Sequence, residues 1–313
     1  MKHFLSITDL SANEIRDIFH LAKKLKNELK TKGSNKDLLK GKSLALVFEK
    51  QSLRTRISFE IGMAQFGGHT VYLDPSDTGI GVRESEQDIA KVLSSMADII
   101  AARTHSHQTI VNIVQNSTVP VINALSDLEH PCQTLTDLFT IWELHGKLEG
   151  LTIAYVGDGE NNVAHSLALG SAMMGMTFRC ASPKGYWMNE DIVAKANQPR
   201  RLRASSLRGW NLMETEYPKE AVANADVVVT DTWISMGDTD KEKRMKIFKP
   251  YQVNKKLMQS AKKDAIFMHC LPAYRGNEVT ADVIDGAQSV VFQEAENRMH
   301  VQKALLLHLL VKK

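Results

Sequence analysis

Several features that would place the chain in a specialised class of protein are missing from its sequence. Its three cysteines, Cys132, Cys180 and Cys270, lie far apart, so their spacing predicts neither a disulfide framework nor a zinc site and favours a reducing compartment. No apolar run approaches the roughly 20 residues needed to cross a bilayer. The first residues also lack the pattern of a secretion or transit signal. We therefore expect a cytoplasmic protein without a membrane segment.

A strong charge of one sign is also missing. Lys and Arg total 39 against 36 Asp and Glu, which gives a net charge of +3. This balance is too mild to predict a nucleic-acid surface. The 313 residues are 43% hydrophobic, which is enough for a large core and, at roughly 150 residues per domain, for about two domains.

Short apolar runs alternate with amphipathic segments along the whole chain. This alternation predicts an α/β protein of two domains, each a mainly parallel sheet flanked by helices. Ligands bind such sheets at the carboxyl ends of their strands, so we expect a ligand cleft between the domains at those ends. The runs that predict strands are 44–48, 70–73, 98–102, 120–124, 151–156, 177–180, 226–230, 265–269 and 289–292.

Gly146 follows a predicted helix and is typical of a helix C-terminus. We place the domain boundary there, so that residues 1–146 form the first domain and residues 147–293 the second. Residues 294–313 carry apolar side chains along one face. They are predicted to form a terminal helix that packs back on the first domain.

In the first half, cationic and polar residues follow the predicted strands. Ser52 precedes a helical run, so its hydroxyl and the next backbone N–H groups are expected at a helix N-terminus, which favours anions. Arg54 and Arg56 diverge on a helix, so that one can face a ligand while the other forms a structural ion pair. Arg103 ends a neighbouring strand, and two guanidinium groups beside helix N–H groups suit a phosphate. The alternative is an ordinary N-cap with two solvated arginines.

His130 and Gln133 lie three residues apart at the start of the next predicted helix. Both can face one point and donate hydrogen bonds to a carbonyl oxygen on which charge develops during acyl transfer. A lone histidine in this position is more often structural.

In the second half, Gly157-Asp158-Gly159 resembles part of a dinucleotide fingerprint, but its third glycine is missing. Asn162 is expected either to point its amide into the cleft or to cap a helix. Asp231 follows an apolar strand and can bind a substrate ammonium group or cap a helix. Ser235-Met236-Gly237 and the charged stretch 238–249 predict a loop that closes over a ligand, or a plain solvated connection. Cys270 follows another strand, where most cysteines are inert.

Taken together, these clusters resemble the aspartate/ornithine transcarbamylase family over nearly the whole chain. The last two of the matching motifs are typical of its ornithine-specific members. In chain order the motifs are Ser52-x-Arg54-Thr55-Arg56, His130-Pro131-x-Gln133, Asp231-x-x-x-Ser235-Met236-Gly237 and His269-Cys270-Leu271-Pro272.

The resemblance implies transfer of a carbamoyl group from carbamoyl phosphate to the side-chain amine of L-ornithine, giving L-citrulline and phosphate in arginine biosynthesis. It also implies a homotrimer with no metal and no organic cofactor. Arg103, His130 and Cys270 are the implied catalytic residues. The implied carbamoyl phosphate ligands are Ser52, Leu53, Arg54, Thr55, Arg103, His130, Gln133, Cys270, Leu271 and Arg298, and the implied ornithine ligands are Asn162, Asp231, Ser235 and Met236.

The chain departs from the family pattern at Leu53, Gly79, Glu160 and Tyr274, of which Glu160 is an extra residue just before Asn161 and Asn162. Three alternatives stay open. The acceptor could be another amine, such as putrescine or a modified ornithine. The scaffold could be a phosphate-ligand sensor without catalysis, or a nucleotide-dependent oxidoreductase.

Overall fold

The computed structural model describes residues 2–80, 83–197, 212–234 and 240–311. The chain divides into two compact units, one made of Met1–Phe139 with Glu296–Lys313 and the other of Thr140–Ala295. Each unit contains one parallel sheet. The two helix-flanked sheets confirm the predicted α/β class. No helix within the described ranges is both long and apolar enough to span a bilayer.

The first unit has a four-stranded sheet in the order β2-β1-β3-β4. Its apolar core includes Val47, Ile100, Ile110 and Val121, all fully buried. The strands are β1 Ser43–Phe48, β2 His69–Leu73, β3 Ile99–Arg103 and β4 Val121–Leu125. The helices are α1 Ala12–Lys32, α2 Leu53–Ala64, α3 Pro75–Thr78, α4 Glu86–Met96, α5 His107–Asn116 and α6 Pro131–His145, preceded by a 3₁₀ turn at Ile7–Asp9.

The second unit has a five-stranded sheet in the order β7-β6-β5-β8-β9. Its core includes Val156, Val228, Phe267 and Val291. The strands are β5 Thr152–Val156, β6 Thr177–Ala181, β7 Leu212–Thr215, β8 Val227–Val229 and β9 Ile266–Met268. The helices are α7 Asn162–Met174, α8 Glu190–Asn197, α9 Pro218–Val222, α10 Lys241–Phe248, α11 Lys255–Met258, α12 Ala281–Ile284 and α13 Val291–Leu310, with a 3₁₀ turn at Lys249–Tyr251. The division between the units falls inside α6 and α13.

Three local predictions need correction. The segment 289–292 is not a strand: Ser289 forms only an isolated bridge with Phe267, and α13 begins at Val291. None of the predicted strands covers Leu212–Thr215, which forms β7. Within the charged stretch 238–249, residues Lys241–Phe248 form α10 and not a loop. Helix α10 buries the side chain of Phe248, which explains why a helix forms in this stretch despite its many charged residues.

Local sequence signals set the ends of two helices in the first half of the chain. The Glu14 N–H donates to Ser11 Oγ across 3.2 Å, and the Ser11 N–H donates to Glu14 Oε2 across 2.8 Å. This reciprocal pair is a capping box, which satisfies donors at the start of α1. Gly146 follows α6 with φ of 72°, a left-handed conformation that glycine adopts without steric cost.

Candidate functional site

The segments that follow β1, β3 and β4 leave the first sheet at the same edge. Phe48 at the end of β1 is in register with Arg103 at the end of β3. The Glu49 N–H extends this pairing by donating to Arg103 O across 2.8 Å, and the Thr104 N–H donates to Leu125 O across 2.9 Å. Because the strands are parallel, the residues after them meet at one place, as the sequence predicts.

Ser52 caps α2. Its Oγ accepts a hydrogen bond from the Thr55 N–H across 3.3 Å. The backbone N–H groups of Leu53 and Arg54 lie in the first turn, where a helix offers its own donors no internal partner. The helix dipole adds partial positive charge at this end. The turn can therefore bind an anion.

Arg54 and Arg56 have different environments, as expected from their spacing. Arg56 donates from Nε to Glu60 across 3.0 Å, and its guanidinium lies 3.8 Å from the centre of the Tyr72 ring. Arg56 is thus engaged in structural contacts. Arg54 is half-buried and lies close enough to lower the pKa of His130. Arg54 is the member of the pair that serves the candidate site.

Arg298 belongs to α13, yet it joins this site within the first unit. The side chain is 2% exposed. It donates to Gln133 Oε1 and, across 3.2 Å, to Thr55 Oγ1. Gln133 in turn donates from Nε2 to Asp137 across 2.7 Å. These hydrogen bonds fix the positions of three residues that the sequence assigns to one ligand.

His130 lies directly before α6. A tight turn holds it there, in which the Ser126 N–H donates to Glu129 O across 3.0 Å and the Glu129 N–H donates to Ser126 Oγ across 3.2 Å. Burial holds the pKa of His130 well below its usual range, and the positive charges of Arg298, Arg103, Arg54 and Lys50 lower it further. His130 is therefore neutral at physiological pH and offers one N–H donor.

Lys50 is a component of the site that the sequence analysis did not single out. Burial lowers the pKa of Lys50, and the charge of Arg103 lowers it further, while Asp127 and Glu49 act in the opposite direction. Its position two residues before the Ser52 cap was the available signal. Lys50, Arg54, Arg103 and Arg298 all lie close enough to the neutral imidazole of His130 for their positive charge to lower its pKa. Such a site favours a compact dianion with an adjoining carbonyl oxygen.

In the second unit, Asp231 follows β8 and is 7% exposed. Its Oδ1 accepts from the Thr232 N–H across 2.8 Å and from Cys270 Sγ across 3.2 Å. Its Oδ2 accepts from Asn161 Nδ2 across 2.9 Å. These three donors orient the carboxylate at the end of the strand.

The helix cap that the sequence offered as one role of Asn162 belongs to its neighbour Asn161. Asn161 is the N-cap of α7 and accepts from the Val163 N–H across 2.7 Å while its amide binds Asp231. Asn162 is the first residue of the helix. Sequence analysis missed the cap because either asparagine suits it. Ser235 and Met236 lie outside the described residues.

Cys270 and Leu271 follow β9. The Leu271 N–H donates to His269 Nδ1 across 2.9 Å, and the His269 N–H donates to Glu294 across 3.0 Å. Leu271 has φ of 56°, and the Leu271–Pro272 peptide bond is cis. A positive φ is costly for a branched side chain, so this turn is held by its neighbours.

Among the described residues, Asp231, His269 and Cys270 form a group that offers metal-ligand atoms, all within 4.8 Å of one another. A structural zinc site uses four such ligands. Here His269 Nδ1 accepts from Leu271, and the Cys270 thiol donates to Asp231. These atoms are thus engaged in hydrogen bonds within the protein.

Comparison with known proteins identifies the two units. Residues 2–143 match the carbamoyl-P binding domain of aspartate/ornithine carbamoyltransferase, and residues 149–309 match the Asp/Orn binding domain of the same enzymes. The chain belongs to the aspartate/ornithine carbamoyltransferase family. Lys50, Arg54, Arg103 and His130 therefore lie in the segment that matches the carbamoyl-P binding domain, and Arg298, like Asp231 and Cys270, lies in the segment that matches the Asp/Orn binding domain.

Several relatives that match nearly the whole chain are named ornithine carbamoyltransferase. Ornithine carbamoyltransferase of Anoxybacillus flavithermus is 49% identical over 99% of this chain and 96% of its own. That of Archaeoglobus fulgidus is 47% identical over 100% of this chain and 98% of its own. The solved structure of the Pyrococcus furiosus enzyme covers 100% of this chain and 98% of its own with a TM-score of 0.94 at 46% identity.

Proposed function

We propose that the protein transfers the carbamoyl group of carbamoyl phosphate to the side-chain amine of L-ornithine, giving L-citrulline and phosphate. The observation that carries this proposal is the cationic site at the N-terminus of α2, where buried Arg298 donates to Thr55 and to Gln133, and where Arg298, Arg103, Arg54 and Lys50 all act on His130. Full-length relatives with nearly half of their residues identical bear the name of this enzyme.

In this proposal the first turn of α2 binds the phosphate group. Ser52, Leu53 and Thr55 supply hydrogen-bond donors, and the guanidinium groups of Arg54 and Arg103 supply charge-assisted hydrogen bonds. The same contacts stabilise the phosphate as it departs, because its negative charge grows when the C–O bond breaks.

The carbamoyl oxygen is contacted by Arg103, His130, Gln133 and Arg298. The neutral imidazole of His130 donates from one ring nitrogen, and the arginines add positive charge. Negative charge develops on this oxygen in the tetrahedral intermediate, so donors fixed in advance lower the barrier to reaction. The buried contacts of Arg298 to Gln133 and Thr55 provide that fixed arrangement.

The second unit binds ornithine. Asp231 binds the α-ammonium group, with Asn162, Ser235 and Met236 as further ligands. Cys270 and Leu271 lie by the reacting amine and the carbamoyl group. A carboxylate already held by three donors needs little reorganisation to receive a cation, which favours binding.

The reaction needs the amine in its neutral form. An alkylamine like that of lysine has a pKa near ~10.4, and nearby positive charge lowers this pKa. The neutral nitrogen attacks the carbamoyl carbon and forms a C–N bond as the C=O π pair moves onto the oxygen. When this pair returns, the C–O bond to phosphate breaks and the phosphate leaves with its electron pair. The amine proton passes to the departing phosphate or to water.

A citrulline assay tests the proposal. Carbamoyl phosphate is supplied with ornithine, acetylornithine, putrescine or aspartate in separate reactions. We expect carbamoylation of ornithine at a kcat/KM at least tenfold above that of every other amine. Faster reaction with putrescine or acetylornithine would assign the other amine as the substrate, and no product with any amine would favour the sensor.

We also propose that the enzyme acts in arginine biosynthesis in the cytoplasm. A solved relative from Campylobacter jejuni, 39% identical over 99% of this chain and 99% of its own with a TM-score of 0.90, is titled an anabolic ornithine carbamoyltransferase. Cys132, Cys180 and Cys270 are all free thiols, as a reducing compartment favours. Deletion of the gene should produce a requirement for arginine or citrulline; growth without either would contradict the biosynthetic role.

The proposed homotrimer is supported by exposed apolar side chains on α2 and β2 of the first unit. Leu53, Ile57 and Ile61 recur every four residues on α2 and are 73%, 46% and 40% exposed. Val71 on the edge strand β2 is 46% exposed. Exposed apolar faces of this kind commonly bind another subunit.

Sedimentation tests this assembly. The unaltered protein should sediment as three copies, and Ile57→Glu should lower the oligomer mass, whereas the control Leu144→Glu should not. A monomeric unaltered protein, or a trimer unaffected by Ile57→Glu, would contradict the proposed interface.

A further inference from the structure

Arg244 is a buried arginine in the second unit that the proposed reaction does not use. It lies on α10 and is 9% exposed. Its Nε donates to Trp233 O across 2.7 Å. One terminal nitrogen donates to Asp158 Oδ2 and forms an ion pair with it. One guanidinium thus binds two separate segments of the chain.

Aromatic rings hold this guanidinium in place. Its central carbon lies 5.0 Å from the ring centres of both Tyr186 and Phe248. Phe248 also stacks on Trp233, with ring centres 6.2 Å apart and planes inclined by 23°. An arginine packed against aromatic rings gains cation–π attraction and loses orientational freedom. The direction of its hydrogen bonds is thereby fixed.

The first segment bound by Arg244 contains Asp158 and Asn161, and it is connected to Asp231 by hydrogen bonds. Asp158 Oδ1 accepts from the Glu160 N–H across 3.0 Å, and its backbone oxygen accepts from the Asn161 N–H across 3.2 Å. Asn161 then donates to Asp231. A shift in the position of Asp158 can therefore move the Asp231 carboxylate, because a continuous series of hydrogen bonds joins the two residues.

The second segment bound by Arg244 contains Trp233 and also includes Asp231 itself. Trp233 comes two residues after Asp231 and two residues before Ser235. Its backbone oxygen is the acceptor of the Arg244 Nε–H. Both segments that carry proposed ornithine ligands are thus attached to one side chain that lies outside the ligand set.

We propose that Arg244 is a positioning residue for ornithine: by binding Trp233 O and Asp158 together, it holds Asp231 and Asn162 in the arrangement that receives the amino acid. This inference rests on the proposed function for its kinetic consequence. A structural role alone is the competing explanation, because removing one partner of a buried ion pair destabilises a protein wherever the pair lies.

Four variants separate these explanations: Arg244→Gln, Arg244→Lys, the double variant Asp158→Asn/Arg244→Gln, and the control Arg275→Gln. The control removes an arginine of the same unit that forms an exposed ion pair with Asp285. Arg244→Gln leaves Asp158 as an unpaired buried charge. The double variant removes that charge but does not restore the arginine donor to Trp233.

Citrulline kinetics and thermal unfolding are measured on all four. We expect Arg244→Gln to raise the KM for ornithine at least tenfold and the KM for carbamoyl phosphate less than twofold. Arg244→Lys keeps the positive charge but not the several N–H donors of the guanidinium group, so its KM for ornithine should lie between those of the unaltered protein and Arg244→Gln. The double variant should recover the unfolding temperature but keep the raised KM. Arg275→Gln should match the unaltered protein. Recovery of both properties in the double variant would overturn the proposal.

Hydrogen exchange without substrates gives a readout that does not depend on the reaction. Arg244→Gln and the double variant should both speed amide exchange at residues 157–163 and 230–234, and Arg275→Gln should not. Unchanged exchange in these segments would overturn the inference. An unaltered protein that makes no citrulline would overturn the proposed function alone, since the exchange result still tests whether Arg244 holds both segments.

Discussion

The thiol of Cys270 donates a hydrogen bond to Oδ1 of Asp231 across 3.2 Å. The two residues follow neighbouring strands, β9 and β8, and are 39 positions apart in the chain. The contact joins Asp231, the proposed ligand of the α-ammonium group, to Cys270, which is proposed to lie beside the reacting amine. It also gives Cys270 a role as a donor that differs from nucleophilic catalysis.

This contact predicts a difference between two substitutions at Cys270. Cys270→Ser keeps a donor and should leave the KM for ornithine within about threefold of normal. Cys270→Ala removes the donor, and the loss of one hydrogen bond worth about 1 kcal/mol should raise that KM about fivefold. Steady-state kinetics with saturating carbamoyl phosphate measures both. Equal effects of the two substitutions would exclude the hydrogen bond as the cause.

Arg103 and His130 provide a test of transition-state stabilisation. Arg103→Ala and His130→Ala should each lower kcat about 10²- to 10³-fold, as removal of a preorganised oxyanion donor does. Arg56→Ala is the matched control, because Arg56 pairs with Glu60 and lies over Tyr72, and it should keep kcat within about threefold. Near-normal turnover of a folded Arg103→Ala protein would remove Arg103 from the mechanism.

His130 also predicts a pH dependence of stability. Burial first, and then Arg298 and the other cations, hold its folded-state pKa well below 6.5, so below pH ~6.5 the unfolded chain binds a proton that the folded chain does not. The free energy of unfolding should then fall by about 1.4 kcal/mol per pH unit on this account. Urea unfolding at pH 7 and pH 5.5 measures the loss, which should be smaller by about 1 kcal/mol in His130→Gln. The same loss in both proteins would mean that His130 is protonated when folded.

The parts of the fold that were predictable from the sequence depend on neighbours in the chain. The Ser11 capping box, the Ser52 cap and the end of α6 at Gly146 each need only a few consecutive residues. The segment 289–292 was assigned wrongly because a short apolar run fits a strand and a helix equally well. In the structure, the run continues into a 20-residue helix.

The parts of the site that sequence analysis missed depend on distant neighbours. Arg298 and Gln133 are 165 positions apart, and no local pattern reveals their contact; the family resemblance indicated only that both bind the same ligand. Arg244 lies in a charged run typical of a solvated surface. Its burial is visible only once Tyr186, Phe248 and Asp158 are seen around it.

The central claim is that the first unit binds carbamoyl phosphate and the second binds ornithine. Steady-state kinetics in which both substrates are varied tests it most directly. The measurement compares the unaltered protein with Arg54→Gln and Asp231→Asn. We predict a crossed result. Arg54→Gln should raise the KM for carbamoyl phosphate at least tenfold and that for ornithine less than threefold, and Asp231→Asn should do the reverse. Equal rises in both constants in each variant would contradict this division of the two substrates.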